Sequence, residues 1–530
     1  MPDLRLLAGF LAACVLVAPA RAGAPLEDVL APVAARPSRS VLPAGWQHGV
    51  LAEIYVRGYA DSNGDGIGDL RGLTGKLDYL KALGVSGIWL MPVTRSGDHD
   101  HGYAVADYRD IEPAYGTLAD FDEFVEQAHA RGIGVIVDYV INHSARSHPL
   151  FQAAADDRDS PYRGWYLWQD QGPKGWKIFD KDPWNRTPTG YYFSQFSAGM
   201  PDWNLLEPAV MAWHMDNLRF WLNRGVDGFR FDAVAHLVEK GKVATRDLPE
   251  SMALMREAVR VVHSYPNRYV VCEATREEKR WASDEGCGGA FAIWMAPNFA
   301  RAATGDSGAA FELAKFFADA PAGMASMVSN HDLFAGERLW DQAGGEPVVQ
   351  KLAAALYLLG PATPFVYYGE ELGMSAAPNL ANDPRVRVPM SWTARGFGGD
   401  KAFRSLAGNA GTQNFERERA DKDSLLAWYR QVIAVRNATP ALSRGHTDEV
   451  VAEDGPTWKL RRSLDGQVAV VLINFSGAPR HSTFRGLPAS TTFRNALGAE
   501  AVAMASDAKG EATVLVPRNS ALVFVAGEAR

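Results

Sequence analysis

The stretch Gly228-Phe-Arg-Phe-Asp-Ala-Val-Ala-His-Leu237 is apolar except for Arg230, Asp232 and His236. A short apolar run of this kind predicts a buried strand. Such a strand has no packing reason to end in a carboxylate, so Asp232 is a candidate functional residue. Arg230 lies two residues before Asp232 and therefore points to the same face of the strand. The stretch predicts a buried strand that brings a charged pair to its carboxyl end.

Further short apolar runs lie before and after this stretch, and amphipathic segments separate them. This alternation is typical of a parallel sheet covered by helices. Eight strands with interleaved helices favour a closed barrel over an open doubly wound sheet, with the active face at the carboxyl ends of the strands. The sequence therefore predicts an α/β fold with a (β/α)8 TIM barrel. The predicted strands are 50–59, 86–93, 134–140, 228–234, 269–273, 290–295, 325–329 and 363–368.

Two regions depart from the barrel pattern. Residues 143–204 form a long stretch rich in aromatic residues, Pro, Gly and Asp, which predicts a small domain inserted after the third strand. After a predicted helix at 424–437, short strands separated by turns favour a C-terminal antiparallel β-sandwich. We divide the chain into a signal peptide at 1–22, barrel segments at 45–142 and 205–445, the inserted domain at 143–204 and the C-terminal domain at 446–530.

The composition limits the kinds of partner. The 530 residues include 54 Lys and Arg against 62 Asp and Glu, a net charge of −8. Nucleic-acid and anionic membrane surfaces need clustered basic residues, so we expect neither a nucleic-acid partner nor a stable membrane association. The 15 Trp, 17 Tyr and 24 Phe residues supply the core and leave some rings to stack on flat ligands. We also expect a monomer without an organic cofactor.

The N-terminus has the pattern of an export signal. Arg5 precedes an apolar run at 6–17, and small residues follow at 18–22. This predicts a signal peptide cleaved within the small residues, and hence a secreted or periplasmic protein. The alternative is a lipoprotein anchored at Cys14, which ends the stretch Leu11-Ala-Ala-Cys14.

Two cysteines remain after such a cleavage, Cys272 and Cys287. In an exported protein they can form a disulfide. The other interpretation is a free thiol at Cys272, buried in an apolar strand. The sequence leaves both open.

Two further carboxylates stand where predicted strands end. Glu273 lies in Val270-Val-Cys-Glu-Ala274, and Asp332 ends Met327-Val-Ser-Asn-His-Asp332. A single acid at a strand end is commonly a helix cap. Three such acids at the carboxyl face of one predicted barrel, with Arg230 and two histidines beside them, indicate an active site.

These segments resemble the signature stretches of the α-amylase family of glycoside hydrolases, as do Asp138-Tyr-Val-Ile-Asn-His143 at the third strand and Met200-Pro-Asp-Trp-Asn204 in the insertion. The resemblance runs from about residue 49 to residue 372. It implies the barrel, the inserted domain and the C-terminal β-domain. It also implies retaining hydrolysis, with Asp232 as nucleophile, Glu273 as general acid/base and Asp332 as the carboxylate that holds sugar hydroxyls.

The resemblance also implies a set of substrate-binding residues. Tyr103, in Asp100-His-Gly-Tyr103, matches an aromatic platform under the central sugar, and two nearby polar residues support it. Two histidines match donors to sugar hydroxyls, and a third matches a position that α-amylases often fill with His. The implied set is Tyr103, His101, Asp107, His143, His236, His331 and Arg230.

The leading functional hypothesis is an α-amylase that cleaves internal α-1,4 bonds of starch, glycogen or maltodextrins. Ala233, directly after the nucleophile, favours it. The loop that begins at Asp61 and the segment Arg387-Val-Pro-Met-Ser-Trp392 instead resemble branches that act on oligosaccharides. Those branches include exo-acting α-glucosidases, oligo-1,6-glucosidases and trehalose synthases. A non-catalytic carbohydrate-binding member of the family is a remote alternative, because all three acids are present.

The stretch Asp61-Ser-Asn-Gly-Asp-Gly-Ile-Gly-Asp69 spaces oxygen ligands at alternate positions, as hard cations require. It is no EF-hand, since Gly72 occupies the twelfth position. We expect structural Ca²⁺ here, although the resemblance also allows Mg²⁺. By resemblance, Asn142 and Asp202 match ligands of a second Ca²⁺ site. The candidate ligands of the first site are Asp61, Asn63, Asp65, Asp69 and the carbonyl of Ile67.

Overall fold

Parallel strands close into an eight-stranded barrel in the computed structural model, which describes residues 25–37, 40–397, 401–453, 456–498 and 502–528. The predicted TIM barrel is confirmed. Each strand pairs with its neighbours in the sequence, and the last pairs with the first, with Leu51 opposite Phe365. The predicted signal peptide and Cys14 lie outside the described residues. The barrel strands, numbered 1 to 8 below, are Leu51–Ile54, Gly87–Leu90, Gly134–Tyr139, Gly228–Phe231, Tyr269–Cys272, Ala290–Phe291, Met324–Ser326 and Thr363–Tyr367.

All eight barrel strands end before the predicted residue, and at two of them a helical turn takes over the rest of the predicted strand. Strand 1 ends at Ile54, and Val56–Tyr59 forms a buried helical turn. Strand 6 ends at Phe291, and a 3-10 turn follows at Ile293–Met295. A short apolar run is compatible with either a buried strand or a buried helical turn, which is why the pattern alone missed these ends.

Several of the longer helices begin where the sequence supplies an N-terminal signal. Pro208 and Pro249 each start a long helix, at the position where a missing N–H is tolerated. Thr117 and Asp120 form a capping box. In the described ranges, no helix is long and apolar enough to cross a membrane. The α-helices are Leu26–Leu30, Val56–Tyr59, Leu70–Thr74, Leu77–Leu83, Leu118–Ala130, Pro149–Asp156, Pro208–Asn223, Pro249–His263, Glu278–Trp281, Ala296–Ala303, Ser307–Phe317, Leu339–Gln342, Pro347–Leu358, Phe415–Glu418, Leu425–Asn437 and Pro440–Arg444.

Trp46 closes the amino-terminal end of the barrel. Its ring lies so near strands 2 and 3 that a Cβ at Gly87 or Gly134 would lie 2.6 or 2.5 Å from it. Glycine at these two positions therefore makes room for the indole. Apolar side chains fill the barrel interior next to Trp46, so the open face is the carboxyl end of the strands. That interior cluster includes Leu51, Trp89, Ile136, Val271, Phe291, Ala325 and Phe365.

The insertion after strand 3 holds the helix Pro149–Asp156 and a three-stranded antiparallel sheet. A bridge from His143 to Asp202 joins its two ends, and a second bridge from Tyr166 to Trp203 ties its middle to the returning chain. The insertion therefore leaves and rejoins the barrel at the carboxyl end of strand 3. Its strands are Trp168–Gln169, Trp184–Thr187 and Gly190–Phe193, and a separate pair, Thr94–Ser96 with Val105–Ile111, follows strand 2.

The C-terminal part is an antiparallel β-domain, as predicted. A six-stranded sheet and a two-stranded sheet share one apolar cluster, which includes Leu472, Phe484, Val514 and Phe524. Side chains from both sheets meet in this cluster, which is the arrangement of a β-sandwich. The larger sheet contains His446–Glu453, Thr457–Leu464, Gln467–Asn474, Ser520–Ala526, Thr492–Leu497 and Met504–Ala505, and the smaller contains Arg480–Phe484 and Ala512–Val516.

Candidate active site

The three candidate acids meet in one cavity at the carboxyl face of the barrel. Asp232 and Glu273 directly follow strands 4 and 5, and Asp332 lies in the loop after strand 7. The cavity has a volume of about 670 Å³, within the usual range for a small-molecule site. Its lining is Tyr103, His143, Phe179, Phe196, Met200, Asp232, Ala233, His236, Arg246, Glu273, Thr275, Arg276, Trp294, Asp332, Phe334 and Asp383.

Arg230 connects the carboxylates. Its guanidinium is buried, and its Nη1 donates to Asp232 Oδ1 at 2.7 Å and to Asp138 Oδ1 at 2.9 Å. Its Nη2 lies 2.9 Å from Glu273 Oε2. One guanidinium thus spans both predicted catalytic carboxyl groups and fixes their separation. The predicted pairing of Arg230 with Asp232 on one strand face agrees with this geometry.

Glu273 has the environment of a carboxylic acid that keeps its proton near neutral pH. Burial raises its pKa, the Arg230 charge opposes this, and the charges of Asp232 and Asp332 raise it again, to about 7. The backbone N–H of Ala233 donates to Oε2 at 2.9 Å. Since Oε2 already faces this donor and Arg230, Oε1 is the oxygen suited to carry the proton.

Asp232 is the carboxyl group that Arg230 contacts most closely, at 2.7 Å. Burial raises the pKa of Asp232, Arg230 lowers it and the Asp138 charge raises it, with a net value of about 6. Ala233, the next residue, has a φ of 49°, a strained conformation for a residue with a Cβ. This backbone conformation aims the Ala233 N–H at Glu273 and so couples the two acids.

Asp332 is held as an anion. Arg387 Nη2 donates to its Oδ1 at 2.6 Å, and His331 Nε2 lies 3.0 Å from its Oδ2. Burial opposes ionisation, but the charges of His331 and Arg387 bring the pKa of Asp332 well below its usual range. Burial also lowers the pKa of His331, but Asp332 and Glu53 raise it to about 10. An imidazolium between two carboxylates therefore supports Asp332.

Tyr103 and His331 form a stacked pair, with ring centroids 5.4 Å apart and planes 18° apart. The Tyr103 hydroxyl donates to Asp138 Oδ2 at 2.9 Å, which fixes the ring where it lines the cavity. His331 Nδ1 lies 2.6 Å from Glu53 Oε1. Both His331 nitrogens thus have protein partners, and its contact with a sugar hydroxyl stays a prediction.

His143 and His236 also line the cavity, and burial lowers the pKa of each to about 4. Both imidazoles are therefore neutral at pH 7, with one N–H to donate. His143 Nε2 lies 3.2 Å from the Tyr103 carbonyl, and His236 Nδ1 lies 3.1 Å from Gln195 Oε1. The structure thus brings both predicted histidines to the site.

Two predicted residues lie beside the cavity rather than in its lining. His101 Nδ1 accepts the Tyr103 N–H at 3.1 Å, so it contacts the predicted platform residue directly. Asp107 lies on the strand Val105–Ile111 and accepts the N–H of Arg109 at 2.8 Å. Asp107 therefore stabilises the backbone of its own strand, and this hydrogen bond does not involve Tyr103.

Three further charged residues were not assigned from the sequence. Glu53 and Asp138 lie within strands 1 and 3, and Arg387 lies in the loop after strand 8. Asp138 accepts two bonds from Arg230, both at 2.9 Å, while Glu53 faces His331. A single carboxylate inside an otherwise apolar strand is a usable signal for the first two, because burying an unpaired charge is costly.

The loop predicted to bind a metal folds around its own side chains. Asp61 accepts the backbone N–H groups of Gly64 and Gly66 at 2.7 and 2.8 Å, and Asp65 accepts that of Ile67 at 2.8 Å. Asp69 accepts from Ser62 and caps the helix Leu70–Thr74. In the described ranges no cluster joins three or more His, Cys, Asp or Glu side chains to hold a metal, so amide and carbonyl oxygens would have to complete any site.

The second predicted metal site gains a third residue in the structure. Asp202 and Asn142 are buried, as is Asp202 Oδ2, which has no hydrogen-bond partner. Glu239 Oε1 is likewise buried without a partner, and the Asp202 charge adds to burial in raising the pKa of Glu239. Two such oxygens fit a hard cation, because buried carboxylates need a positive partner. Glu239 follows no predicted strand end directly, so the sequence pattern did not single it out.

Cys272 and Cys287 form a disulfide. Cys272 is the last residue of strand 5 and directly precedes Glu273, while Cys287 lies before strand 6. Both are buried. Of the two interpretations of these cysteines, the structure supports the disulfide, which ties the chain behind Glu273 to the next barrel strand.

Comparison with known proteins extends these observations. The sequence model described as Alpha amylase, catalytic domain, matches residues 53–445. Alpha-amylase 3 of Dictyoglomus thermophilum is 31% identical over 450 residues, which cover 81% of this chain and 85% of that protein. The trehalose synthase/amylase TreS of Mycobacterium tuberculosis is 31% identical over 501 residues, covering 83% of each. The crystal structure of the α-amylase from H. orenii superposes with a TM-score of 0.79 at 32% identity and covers 91% of this chain and 100% of that one.

Proposed function

Because the chain belongs to the α-amylase family of glycoside hydrolases, we propose that it cleaves α-1,4-glucosidic bonds of maltodextrins, starch or glycogen with net retention. The arrangement that carries this proposal is the Arg230 guanidinium bound to both Asp232 and Glu273. A short, fixed separation between two carboxyl groups suits a covalent glycosyl intermediate, whereas inversion needs room for a water between them. Burial and the charges of Asp232 and Asp332 raise the pKa of Glu273 to about 7, which suits the general acid of the pair.

In the first step, the sugar to be transferred lies over the Tyr103 ring. The Asp232 carboxylate attacks its anomeric carbon, and the bond from that carbon to the bridging oxygen breaks. Glu273 Oε1 delivers its proton to this oxygen, so the leaving sugar departs as a neutral alcohol. Arg230 stabilises the ionised form of Asp232 before the attack.

In the second step, Glu273 is a carboxylate and takes a proton from an attacking water. The water oxygen bonds to the anomeric carbon, the ester to Asp232 breaks, and both acids return to their starting states. Asp332, held as an anion by Arg387 and His331, accepts hydrogen bonds from sugar hydroxyls in both steps. These bonds favour the distorted ring of the transition state.

A second candidate is intramolecular or intermolecular glucosyl transfer, as in a trehalose synthase. The similarity to TreS, at 31% identity over 83% of this chain, favours it. The same two carboxyl groups serve both reactions, because a sugar hydroxyl replaces water in the second step. Exo-acting α-glucosidases and oligo-1,6-glucosidases use the same two-step reaction, but they bind a different part or linkage of the substrate.

The test of the proposal is a time course of products from soluble starch, maltotriose, isomaltose and maltose with the purified protein. Mixed maltooligosaccharides that appear early from starch support the α-amylase activity. Glucose alone supports an exo-acting enzyme, and trehalose from maltose supports the transferase. No reaction with any of the four substrates contradicts the proposal.

We expect kcat/KM to have a narrow pH optimum and to fall on both its acid and its alkaline side. Asp232 must be ionised and has a pKa of about 6, so kcat/KM should fall as the pH drops through that value. Glu273 must be protonated and has a pKa of about 7, so kcat/KM should also fall as the pH rises above it. Initial rates on maltotriose across pH, with residual activity at neutral pH as the control for unfolding, check this. Equal rates from acid to strongly alkaline pH contradict it.

Structural Ca²⁺ is part of the proposal. Asn142, Asp202 and Glu239 would hold it in one site, and Asp61, Asn63, Asp65, Asp69 and the Ile67 carbonyl in the other. A bound Ca²⁺ supplies the positive charge that pairs these carboxylates, and at the site with Asp202 it links the insertion to the barrel.

Exhaustive chelation is expected to lower Tm, and added Ca²⁺ to restore it, since a ligand at about 100 times its Kd stabilises by about 2.7 kcal/mol. Glu239→Gln should reduce the response at the site with Asp202, and Asp65→Asn the response at the loop that begins at Asp61, while Asp122→Asn on an exposed helix surface serves as the matched control. Identical melting curves before and after chelation in the wild-type protein contradict the metal proposal.

Export is likewise proposed. The sequence pattern at residues 1–22 supports it, and so does the disulfide, because disulfides persist mainly in oxidising compartments.

A further inference from the structure

Two exposed aromatic rings stand at the edge of the catalytic cavity. Trp294 lies in the turn after strand 6 and Phe334 in the turn after strand 7, and the two strands are neighbours in the barrel. Both rings line the cavity, and 51% of Trp294 and 41% of Phe334 are exposed. Large exposed apolar surface beside a site commonly marks a binding surface.

The two rings are held in place. The Trp294 indole N–H donates to the Thr275 carbonyl, and the ring centroids of Trp294 and Phe334 lie 6.5 Å apart. On either side of Phe334, the Leu333 N–H donates to Asp383 Oδ1 at 3.0 Å, and the Ala335 N–H donates to the Asp332 carbonyl at 3.1 Å. The pair, called the Trp294–Phe334 platform below, is therefore a preformed apolar surface.

The position of Glu273 tells which part of a substrate meets the platform. Glu273 delivers its proton to the oxygen of the leaving group, so the leaving group lies on its side of the scissile bond. Thr275, which holds Trp294, is two residues after Glu273. The ring of the transferred sugar instead rests on Tyr103, which belongs to the loop after strand 2.

We infer that the Trp294–Phe334 platform binds the sugar on the leaving-group side by stacking against its C–H face. Sugars present an apolar face with a polar rim, which an aromatic ring can cover. The inference rests on the proposed function, and it identifies the residues that select the leaving-group sugar.

The platform also serves the second step when a sugar replaces water. The acceptor hydroxyl attacks the anomeric carbon, the bond to Asp232 breaks, and the hydroxyl proton goes to Glu273 Oε1. A sugar held on the platform is positioned for this attack, whereas water needs no platform. The same two rings therefore set the ratio of transfer to hydrolysis.

The test compares two substrates that differ in the leaving group. The leaving group of maltotriose is a sugar, which would lie on the platform. The leaving group of α-D-glucosyl fluoride is fluoride, which has no ring to stack. For Trp294→Ala and Phe334→Ala, we expect kcat/KM on maltotriose to fall about tenfold and kcat/KM on glucosyl fluoride to stay within about twofold. Trp294→Phe keeps an aromatic face and should recover most of the loss. Phe311→Ala is the matched control, because Phe311 is 56% exposed on the helix Ser307–Phe317, away from the cavity lining.

Each other outcome overturns the inference. Unchanged kinetics on maltotriose mean that the rings bind no sugar. Equal losses on both substrates mean that they support the fold or the transferred sugar. In both cases the proposed function still stands as long as the wild-type protein cleaves maltotriose and glucosyl fluoride. A wild-type protein that cleaves neither substrate contradicts the proposed function and the platform together.

Discussion

Replacing Asp232 by Asn is expected to lower kcat on maltotriose by about four orders of magnitude or more, with oligosaccharide binding retained. The amide cannot form the glycosyl ester, so the double displacement loses its first step. The Arg230 guanidinium keeps Asp138 and Glu273 as partners, which limits structural damage. Initial rates and binding of maltotriose by calorimetry check this result.

Asp122→Asn is the matched control, because Asp122 pairs with Arg224 on the surface and is not part of the cavity lining.

A smaller side chain at position 232 gives a sharper test of the role of Asp232 as nucleophile. In Asp232→Gly, azide can enter the space of the lost carboxylate and attack α-D-glucosyl fluoride from that face. The expected product is β-glucosyl azide, with inverted configuration. Undiminished hydrolysis by Asp232→Asn shows that another group is the nucleophile.

The residues that the sequence identifies best are those for which packing offers no explanation. Asp232 and Glu273 each follow an apolar run directly, and the structure places both in one cavity. Arg230 was predicted on the same strand face as Asp232 because side chains alternate along a strand. Its contact with Glu273 could not be predicted, since it depends on how strands 4 and 5 pair in the barrel.

Other parts of the site depend on turns that an apolar pattern does not encode. Trp294 lies in a segment predicted to continue strand 6, but a 3-10 turn at Ile293–Met295 brings its ring to the cavity edge. Glu239, which follows strand 4, feels the Asp202 charge because the insertion rejoins the barrel at the end of strand 3, the neighbour of strand 4. Glu53 carried a local signal, a single acid in an apolar strand, but its partner His331 is 278 residues away.

Replacing Glu273 by Gln is expected to have an effect that depends on the leaving group. On maltotriose, kcat should fall by about two to four orders of magnitude, because no acid remains to protonate the departing sugar. Fluoride leaves without a proton, so glucosyl fluoride should still form the ester to Asp232, and its slow hydrolysis should then limit turnover. Burst kinetics with glucosyl fluoride measure this difference, and Glu285→Gln at an exposed position is the matched control.

Azide separates the role of Glu273 from that of Asp232. In Glu273→Ala, azide needs no base and attacks the glucosyl ester from the face that water uses, so the product should be α-glucosyl azide, with retained configuration. The opposite configurations expected from Asp232→Gly and Glu273→Ala follow from the two faces of one anomeric carbon.

The pH dependence gives an independent check, because the fall in rate at alkaline pH belongs to Glu273, whose pKa is about 7. With glucosyl fluoride as substrate, the rate of ester formation by Glu273→Gln should lose that fall and keep the fall at acid pH that belongs to Asp232. A fall that persists above pH 7 in this variant would assign the proton to another group and leave Glu273 as a positioning residue.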